Sequence, residues 1–106
     1  MPSEITLYRL HAASDADLEA ARDAILKANS ESDKMAAASA AFAQKCFSVS
    51  QVRVLAGLFV SDKAKYRLME AARSHVSDAD HYRELVDMLS DRNFQRKFLA
   101  MADKHS

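Results

Sequence analysis

The sequence predicts an all-α domain of three stacked antiparallel helical hairpins. Three observations point there: an internal repeat, recurring helix-start signals and a shortage of turn-forming residues. The repeat has a period of about 30 residues, as in helical arrays. Seven positions of one unit align with seven of the next, namely Leu55, Leu58, Phe59, Leu68, Met69, Ala72 and His75 with Leu85, Met88, Leu89, Phe98, Leu99, Ala102 and His105. Since one such unit cannot bury its apolar face alone, the units should stack into a short solenoid-like array.

The composition argues against several other classes of protein. Hydrophobic residues make up 49% of the 106 residues, which suffices for one domain with one core. The chain holds one glycine and one proline, so the tight turns of β-hairpins, which need positive φ, are not expected, and neither are sheets. The single cysteine, Cys46, cannot form an internal disulfide, and we expect it to be a small buried hydrophobe.

The sequence carries no membrane or export signal. No apolar run approaches the ~18 residues of a membrane span, and the N-terminus lacks the basic segment and apolar stretch of a signal peptide. We therefore expect a soluble protein without a membrane partner, cytoplasmic if the chain is complete. The sequence does not otherwise indicate a compartment, and it does not indicate an oligomeric state.

Serine-based signals mark the starts of six predicted helices. Four have the form of a capping box, in which a serine side chain accepts from the amide three residues on and that residue's side chain bonds back: Ser14 with Asp17, Ser30 with Asp33, Ser48 with Gln51, and Ser77 with Asp80. Ser61-Asp62 and Ser90-Asp91 mark the other two. Apolar residues keep helical spacing between these signals. The predicted core stripes are Leu18, Ala21, Ile25 and Ala28; Met35, Ala38 and Phe42; Val52, Leu55, Ala56 and Phe59; Leu68, Met69, Ala72 and Val76; Tyr82, Leu85, Val86 and Leu89; and Phe94, Phe98, Met101 and Ala102.

The predicted domain organisation is an N-terminal arm, residues 1–13, and a single all-helical domain, residues 14–106. Short joints should turn consecutive helices antiparallel. The first hairpin is rich in alanine, which permits close helix approach and is atypical, as expected of a terminal repeat. The arm carries Ile5, Leu7, Tyr8 and Leu10, which fit a short helix or an extended strand, and we interpret it as a flank able to dock on the core.

The central segment, residues 46–52, carries a resemblance to a known family. It contains Cys46-Phe47-Ser48 and Gln51-Val52, and the residues that follow at helical spacing are Leu55, Phe59, Lys65, Leu68, Met69 and Ala72. This pattern resembles the family called domain of unknown function 4476, in which a Cys-Phe-Ser/Thr-x-x-Gln-Val segment precedes helical units of similar length. The likeness runs from Ser14 to Ala102. It implies a small all-helical module, found at the end of longer bacterial exported proteins and in a proline- and serine-rich animal protein, and it brings no catalytic residues.

Side chains of the kind that bind metals cluster before the fifth predicted helix. His75, Asp78, Asp80 and His81 offer the imidazole and carboxylate ligands of zinc or another divalent ion. Helix capping explains the same residues, because Asp80 would complete a capping box, Asp78 would lie at a helix start and His75 at a helix end. We therefore expect no metal and no cofactor.

The sequence shows no arrangement for catalysis. Cys46 has no histidine nearby in sequence, no glycine-rich turn surrounds a serine, and no two carboxylates share an apolar helix face. We expect a protein that is not an enzyme.

Charge is divided between the two helix layers, although 15 basic and 15 acidic residues cancel over the whole chain. The second helices of the hairpins, within residues 31–46, 61–76 and 91–106, carry 10 basic and 6 acidic residues. The first helices carry 4 basic and 8 acidic residues. The second layer could therefore hold an acidic peptide or a phosphate backbone, or be an ordinary solvated surface.

The basic layer leads to the functional prediction, a non-enzymatic module that binds another protein. The predicted contact residues are Lys63, Arg67, Arg96 and Lys97. One alternative is a purely structural domain that packs within a longer polypeptide, which a large exposed apolar patch near residues 1–13 would favour. The other is weak nucleic-acid binding, which we disfavour because no aromatic side chain is clearly interleaved with the basic residues.

Overall fold

The structure is a computed structural model and describes residues 12–103. Six helices and one short 3-10 turn fill most of this range. Their bounds are α1 Asp15–Lys27, α2 Glu31–Gln44, α3 Val49–Ala56, α4 Asp62–Ala72, a 3-10 turn Arg73–His75, a 3-10 helix Ala79–Met88 and α5 Arg92–Asp103. No strand is assigned within this range, so the predicted all-α class is confirmed. The predictions for Ile5, Leu7, Tyr8, Leu10 and His105 fall outside the described residues.

Serine and aspartate side chains begin the α-helices largely as predicted. Both bonds of the capping box form at Ser14 and at Ser48. Ser30 and Ser61 make only the first of these bonds, accepting from the amide three residues on. Asp91 caps α5 by accepting from two amides of its first turn, at 2.7 and 3.3 Å. Local sequence therefore sets the start of every α-helix.

The capping box predicted at Ser77 and Asp80 is wrong. The fifth helix begins at Ala79 as a 3-10 helix, and no side chain caps it. Asp78 instead accepts a hydrogen bond from the Val49 amide at the start of α3, at 2.7 Å. The Ser77 amide is likewise bonded to the central segment. Because these residues are held by contacts distant in sequence, they do not start an α-helix.

The predicted apolar stripes form the core. Most residues of these stripes are buried. The half-buried ones are Leu18, Ala28, Met35, Val86, Phe94 and Met101. Leu55 and Leu85, which the predicted repeat aligns with each other, are both fully buried, at 0% exposure. Cys46 is half-buried, so the prediction of a buried cysteine is wrong. A backbone hydrogen bond from the Ala13 amide holds Cys46 in place.

The helices pack in an order consistent with stacked hairpins. Consecutive helices contact each other as pairs, α1 with α2, α3 with α4, and the 3-10 helix with α5. The first members also contact one another, α3 lying against both α1 and the 3-10 helix. The second members do the same, α4 lying against both α2 and α5. Two layers result, and the division of the chain into an arm and one domain stays a prediction.

The central segment is paired through its backbone on both sides. On one side, the Ala13 amide donates to the Cys46 carbonyl at 2.7 Å. On the other side, the Phe47 amide donates to the His75 carbonyl and the Phe47 carbonyl accepts from the Ser77 amide, both at 2.9 Å. These are isolated bridges of parallel type, not strands. Three stretches of chain that are distant in sequence thus meet at this segment.

Gln51 joins two of these stretches through its side chain. Its Oε1 accepts from the Ser48 amide at 2.9 Å, and its Nε2 donates to the Ala13 carbonyl at 2.9 Å. The glutamine therefore caps α3 and holds the chain that leads into α1. An alanine here would leave both backbone groups partly buried without these partners.

Leu55→Ala and Leu85→Ala should each destabilise the fold by about 2–5 kcal/mol, because each removes a fully buried side chain from an equivalent place in the core. Urea unfolding followed by circular dichroism measures the loss. The matched control is Val54→Ala. Val54 lies on α3 beside Leu55 and is 43% exposed, so the change should cost less than about 0.5 kcal/mol. A loss that small at Leu55 or Leu85 would contradict the packing.

Gln51→Ala should cost about 1–3 kcal/mol, since it deprives the Ser48 amide and the Ala13 carbonyl of their bonds. Gln51→Glu keeps an acceptor for Ser48 but puts a carboxylate oxygen against the Ala13 carbonyl, so it should cost at least as much as the alanine variant. A Gln51→Glu variant as stable as the wild type would contradict the bond to Ala13.

Candidate protein-binding face

The four predicted contact residues lie on one helix layer. Lys63 and Arg67 belong to α4, and Arg96 and Lys97 belong to the adjoining α5. All four are exposed. We call the surface that α2, α4 and α5 present with these side chains the basic face.

Lys63 and Arg67 line the same groove, between α2 and α4. The other residues that line it are Glu31, Ser32, Met35, Ser61 and Ala64. Met35 is half-buried and supplies apolar surface beside the two cations. Glu31 adds one carboxylate at the edge, where its Oε1 accepts from the Ser61 hydroxyl at 3.4 Å. The groove can therefore take both charged and apolar groups of a ligand.

An aromatic pair lies where α4 meets α5. The ring centroids of Tyr66 and Phe94 are 5.8 Å apart, and Lys97 Nζ lies 5.3 Å from the Phe94 centroid. The sequence argument that no aromatic residue accompanies the basic ones is therefore wrong. The sequence held this signal, because Phe94 and Lys97 are three residues apart on one helix and Tyr66 stands between Lys65 and Arg67.

Burial and charge affect the phenol of Tyr66. Desolvation raises the pKa of Tyr66, and the nearby carboxylate of Glu70 raises it further. The phenol is therefore neutral at physiological pH, a hydrogen-bonding group on an otherwise apolar ring. Tyrosine, phenylalanine, methionine and arginine are enriched in protein interfaces, and the basic face combines all four.

The cations of the basic face are not neutralised locally. Within residues 12–103, none of Lys63, Arg67 and Arg96 forms an ion pair with a carboxylate. The nearest acid in sequence, Asp62, accepts from the amides of Ser90 and Asp91 at 2.9 and 2.6 Å. Asp62 is therefore bonded to the backbone and not to Lys63, and the ammonium group of Lys63 can pair with a carboxylate of a ligand.

The same bonds align the second helices. Asp62 joins the start of α4 to the start of α5, and Glu31 joins the start of α2 to Ser61 at the start of α4. At the other end, Arg73 Nη2 donates to the Ala102 carbonyl at 3.1 Å. Since the starts of α4 and α5 are bonded together and so are their ends, these two helices run side by side in the same direction. The bond between Glu31 and Ser61 brings the start of α2 to the start of α4.

Tyr82 holds α4 and α5 together from within. Its hydroxyl donates to the Met69 carbonyl at 2.6 Å, and its ring lies 5.0 Å from that of Phe98. The Arg73 guanidinium lies 4.9 Å from the Tyr82 centroid. Burial raises the pKa of Tyr82 well above its usual value, which keeps the hydroxyl a donor. Arg73 is thus a packing residue and not part of the basic face.

The residues weighed as metal ligands do not converge. Among residues 12–103, no group of three or more histidine, cysteine, aspartate or glutamate side chains has a geometry that could hold an ion. Asp78 is bonded to the start of α3. His81 lies on the surface, with Nδ1 2.6 Å from the Glu84 carboxylate and Nε2 3.5 Å from that of Asp80. The bond with Glu84 and the charge of Asp80 raise the pKa of His81.

The matched family covers most of the chain. Residues 13–101 match the model of the family described as Domain of unknown function (DUF4476). The matched range includes the central segment and the basic face. Comparisons with curated proteins and with solved structures gave no match. No helix within residues 12–103 is long and apolar enough to cross a membrane.

Removing metal ions should not destabilise the protein, because hydrogen bonds within the chain already hold the 75–81 stretch in place. A chelator such as EDTA is expected to leave the thermal midpoint unchanged. Asp78→Ala, the positive control, should lower the midpoint with or without chelator, because it removes the bond to Val49. A fall of about ten degrees on chelation that zinc restores would overturn this interpretation.

Proposed function

We propose that this chain, which belongs to the family described as Domain of unknown function (DUF4476), is a non-enzymatic module that binds another protein through its basic face. The partner surface that fits carries carboxylates around an apolar side chain. The observation that carries the proposal is the set of cations that have no ion-pair partner within residues 12–103, beside the half-buried Met35 and the Tyr66–Phe94 pair.

Charge complementarity supports an acidic partner. Lys63 and Arg67 stand in one groove, and Lys97 stands over the Phe94 ring on the next helix. Carboxylates of a partner could form ion pairs with these cations, and the helices that carry the cations are already bonded to each other. Such pairs steer encounter and fix the register of binding more than they add affinity.

The apolar groups supply the second part of the recognition. Met35 lies in the groove between α2 and α4, and its flexible thioether can adapt to a partner side chain. Tyr66 and Phe94 are also half-buried, so each leaves part of its ring accessible. A partner residue that covers these groups would remove apolar surface from water, which is the main source of affinity in such contacts.

A structural role within a longer polypeptide is the second candidate, and one observation favours it. Exposed alanines of α1 and α2 line an apolar groove that ends at Lys45 and Phe47, beside the backbone bond between Ala13 and Cys46. A neighbouring domain could pack there without any use of the basic face. The two candidates therefore predict sensitivity to mutation at different surfaces.

Charge reversal on the basic face tests the proposal. In the variant Arg67→Glu/Lys97→Glu, binding of a partner should weaken about tenfold or more, because each lost pair is worth about 0.2–1 kcal/mol and repulsion replaces it. The variant should still fold, since surface changes usually cost within about 0.5 kcal/mol. Affinity is measured by calorimetry on partners recovered with the wild-type protein, at low and high salt.

The control variant is Arg22→Glu/Lys27→Glu, which changes the net charge equally on α1, outside the second-helix layer. It should bind the partner as the wild type does. Loss of binding in both variants would indicate general electrostatics, and unchanged affinity in the folded Arg67→Glu/Lys97→Glu variant would exclude the basic face. Tight salt-sensitive binding of a single-stranded oligonucleotide, lost in that variant, would favour nucleic acid over protein.

A further inference from the structure

The outer side of α1 carries two carboxylates and a leucine. Glu19, Asp23 and Leu26 follow one another at intervals of four and three residues, so they lie on one side of the helix. The buried residues of α1, Ala21 and Ile25, lie on the opposite side. All three outer residues are exposed, Leu26 to 51%. The chain therefore presents a large apolar side chain to solvent beside two acidic ones.

The two carboxylates on this side of α1 are available to cations of another molecule. Asp23 forms no ion pair among residues 12–103. Glu19 pairs with Arg22, whose Nη1 lies 3.6 Å from the carboxylate. Both side chains of that pair are exposed, and exposed pairs contribute little to stability. A cation of another molecule can therefore take the place of Arg22.

The spacing of these carboxylates matches that of the cations in the groove between α2 and α4. Glu19 and Asp23 are four residues apart on α1, and Lys63 and Arg67 are four residues apart on α4. In both pairs the Cβ atoms are about 5–6 Å apart, because residues at this spacing lie one turn above the other. Two helices laid side by side can therefore pair both carboxylates with both cations.

The apolar groups of the two surfaces match as well. Leu26 lies one turn beyond Asp23. Apolar surface lies on both sides of α4, from Met35 on one side and from the Tyr66–Phe94 pair on the other. These groups are half-buried, so a leucine that covers them removes apolar surface from water. The outer side of α1 thus has the chemistry inferred for the partner of the basic face, an apolar side chain among carboxylates.

The two surfaces belong to different layers of one copy. α1 packs against α2 and α3 in the first-helix layer, and its outer side points away from the core. The basic face lies on the second-helix layer, so Glu19 cannot reach Lys63 within one folded chain. Pairing of these surfaces therefore joins two copies. The chain carries no net charge, so its copies do not repel one another as highly charged chains do.

We propose that the basic face binds the outer side of α1 of a second copy of this chain. The inference rests on the proposed function, since it names a partner for the same face. The two surfaces that meet are different, so each copy in a pair still has one of them unoccupied. Association should therefore continue past two copies, to rings or open chains.

Sedimentation velocity tests the association of the wild-type chain. The average mass should rise above that of a single chain as the concentration increases from about 10 µM to about 1 mM. Added salt should return it to the mass of a single chain, because the ion pairs of the contact are exposed. A wild type that stays a single chain throughout would overturn this inference. The proposed function would remain open to its own test with a different acidic protein.

Two variants that each lose one surface locate the contact. Glu19→Gln/Asp23→Asn/Leu26→Ala removes the outer side of α1 and keeps the basic face, whereas Arg67→Glu/Lys97→Glu does the reverse. Each alone should remain a single chain. An equimolar mixture should form a complex of two chains and nothing larger, because one pair of intact surfaces remains. That complex would also show that both variants fold, and a mixture that stays as single chains would overturn the proposal.

The matched control for the α1 variant is Val54→Ala/Asp80→Asn/Glu84→Gln. These exposed residues also lie in the first-helix layer, and the change removes two carboxylates and shortens one apolar side chain, as the α1 variant does. The control should associate as the wild type does. Equal loss of association in the control and in the α1 variant would assign the effect to the acidic layer as a whole and overturn the role of α1.

The Arg67→Glu/Lys97→Glu variant also separates this inference from the proposed function. Self-association that persists in this variant would exclude the basic face as the surface that receives α1. Arg22→Glu/Lys27→Glu, the control for the basic face, keeps both surfaces and should still associate. Loss of self-association in Arg22→Glu/Lys27→Glu would count against the proposed pairing.

Discussion

The backbone of Cys46 and Phe47 is bonded on both sides, to Ala13 and to the stretch that contains His75 and Ser77. An unpaired amide or carbonyl in this position would cost free energy, so the three stretches must come together for the fold to form. Each leads directly into a helix. The bridge to Ala13 places α1, and the bridge to His75 and Ser77 places the 3-10 helix. The positions of α1, α3 and the 3-10 helix relative to one another thus depend on a few backbone bonds between distant parts of the chain.

This arrangement gives the motif residues of the central segment structural roles. Phe47 is buried and meets the Phe42 ring edge to face, with centroids 5.5 Å apart. Ser48 and Gln51 form the capping box of α3, and Gln51 also reaches Ala13. Val52 is fully buried. The motif residues of the central segment therefore act in folding, and the surfaces open to a partner lie outside it.

Local signals in the sequence predicted the helices and the core, because they depend on neighbours within one turn. The capping boxes of Ser14 and Ser48 are of this kind. The errors arose where a distant residue competes for the same group. Asp78 caps nothing in its own helix because the Val49 amide, 29 residues away, binds it. In the same way, Tyr66 and Phe94 meet only once α4 and α5 are packed, so no spacing rule within one helix could pair them.

The chain has no net charge, but its acidic and basic side chains have different partners. The carboxylates of Asp62 and Asp78 accept from backbone amides at the joints, where they hold neighbouring helices together. The cations of Lys63 and Arg67 make no ion pair within residues 12–103. These two carboxylates therefore act between helices. Asp62 is bonded to the backbone at the start of α5 and not to the neighbouring Lys63, so Lys63 is left without an ion pair on the surface of the second-helix layer.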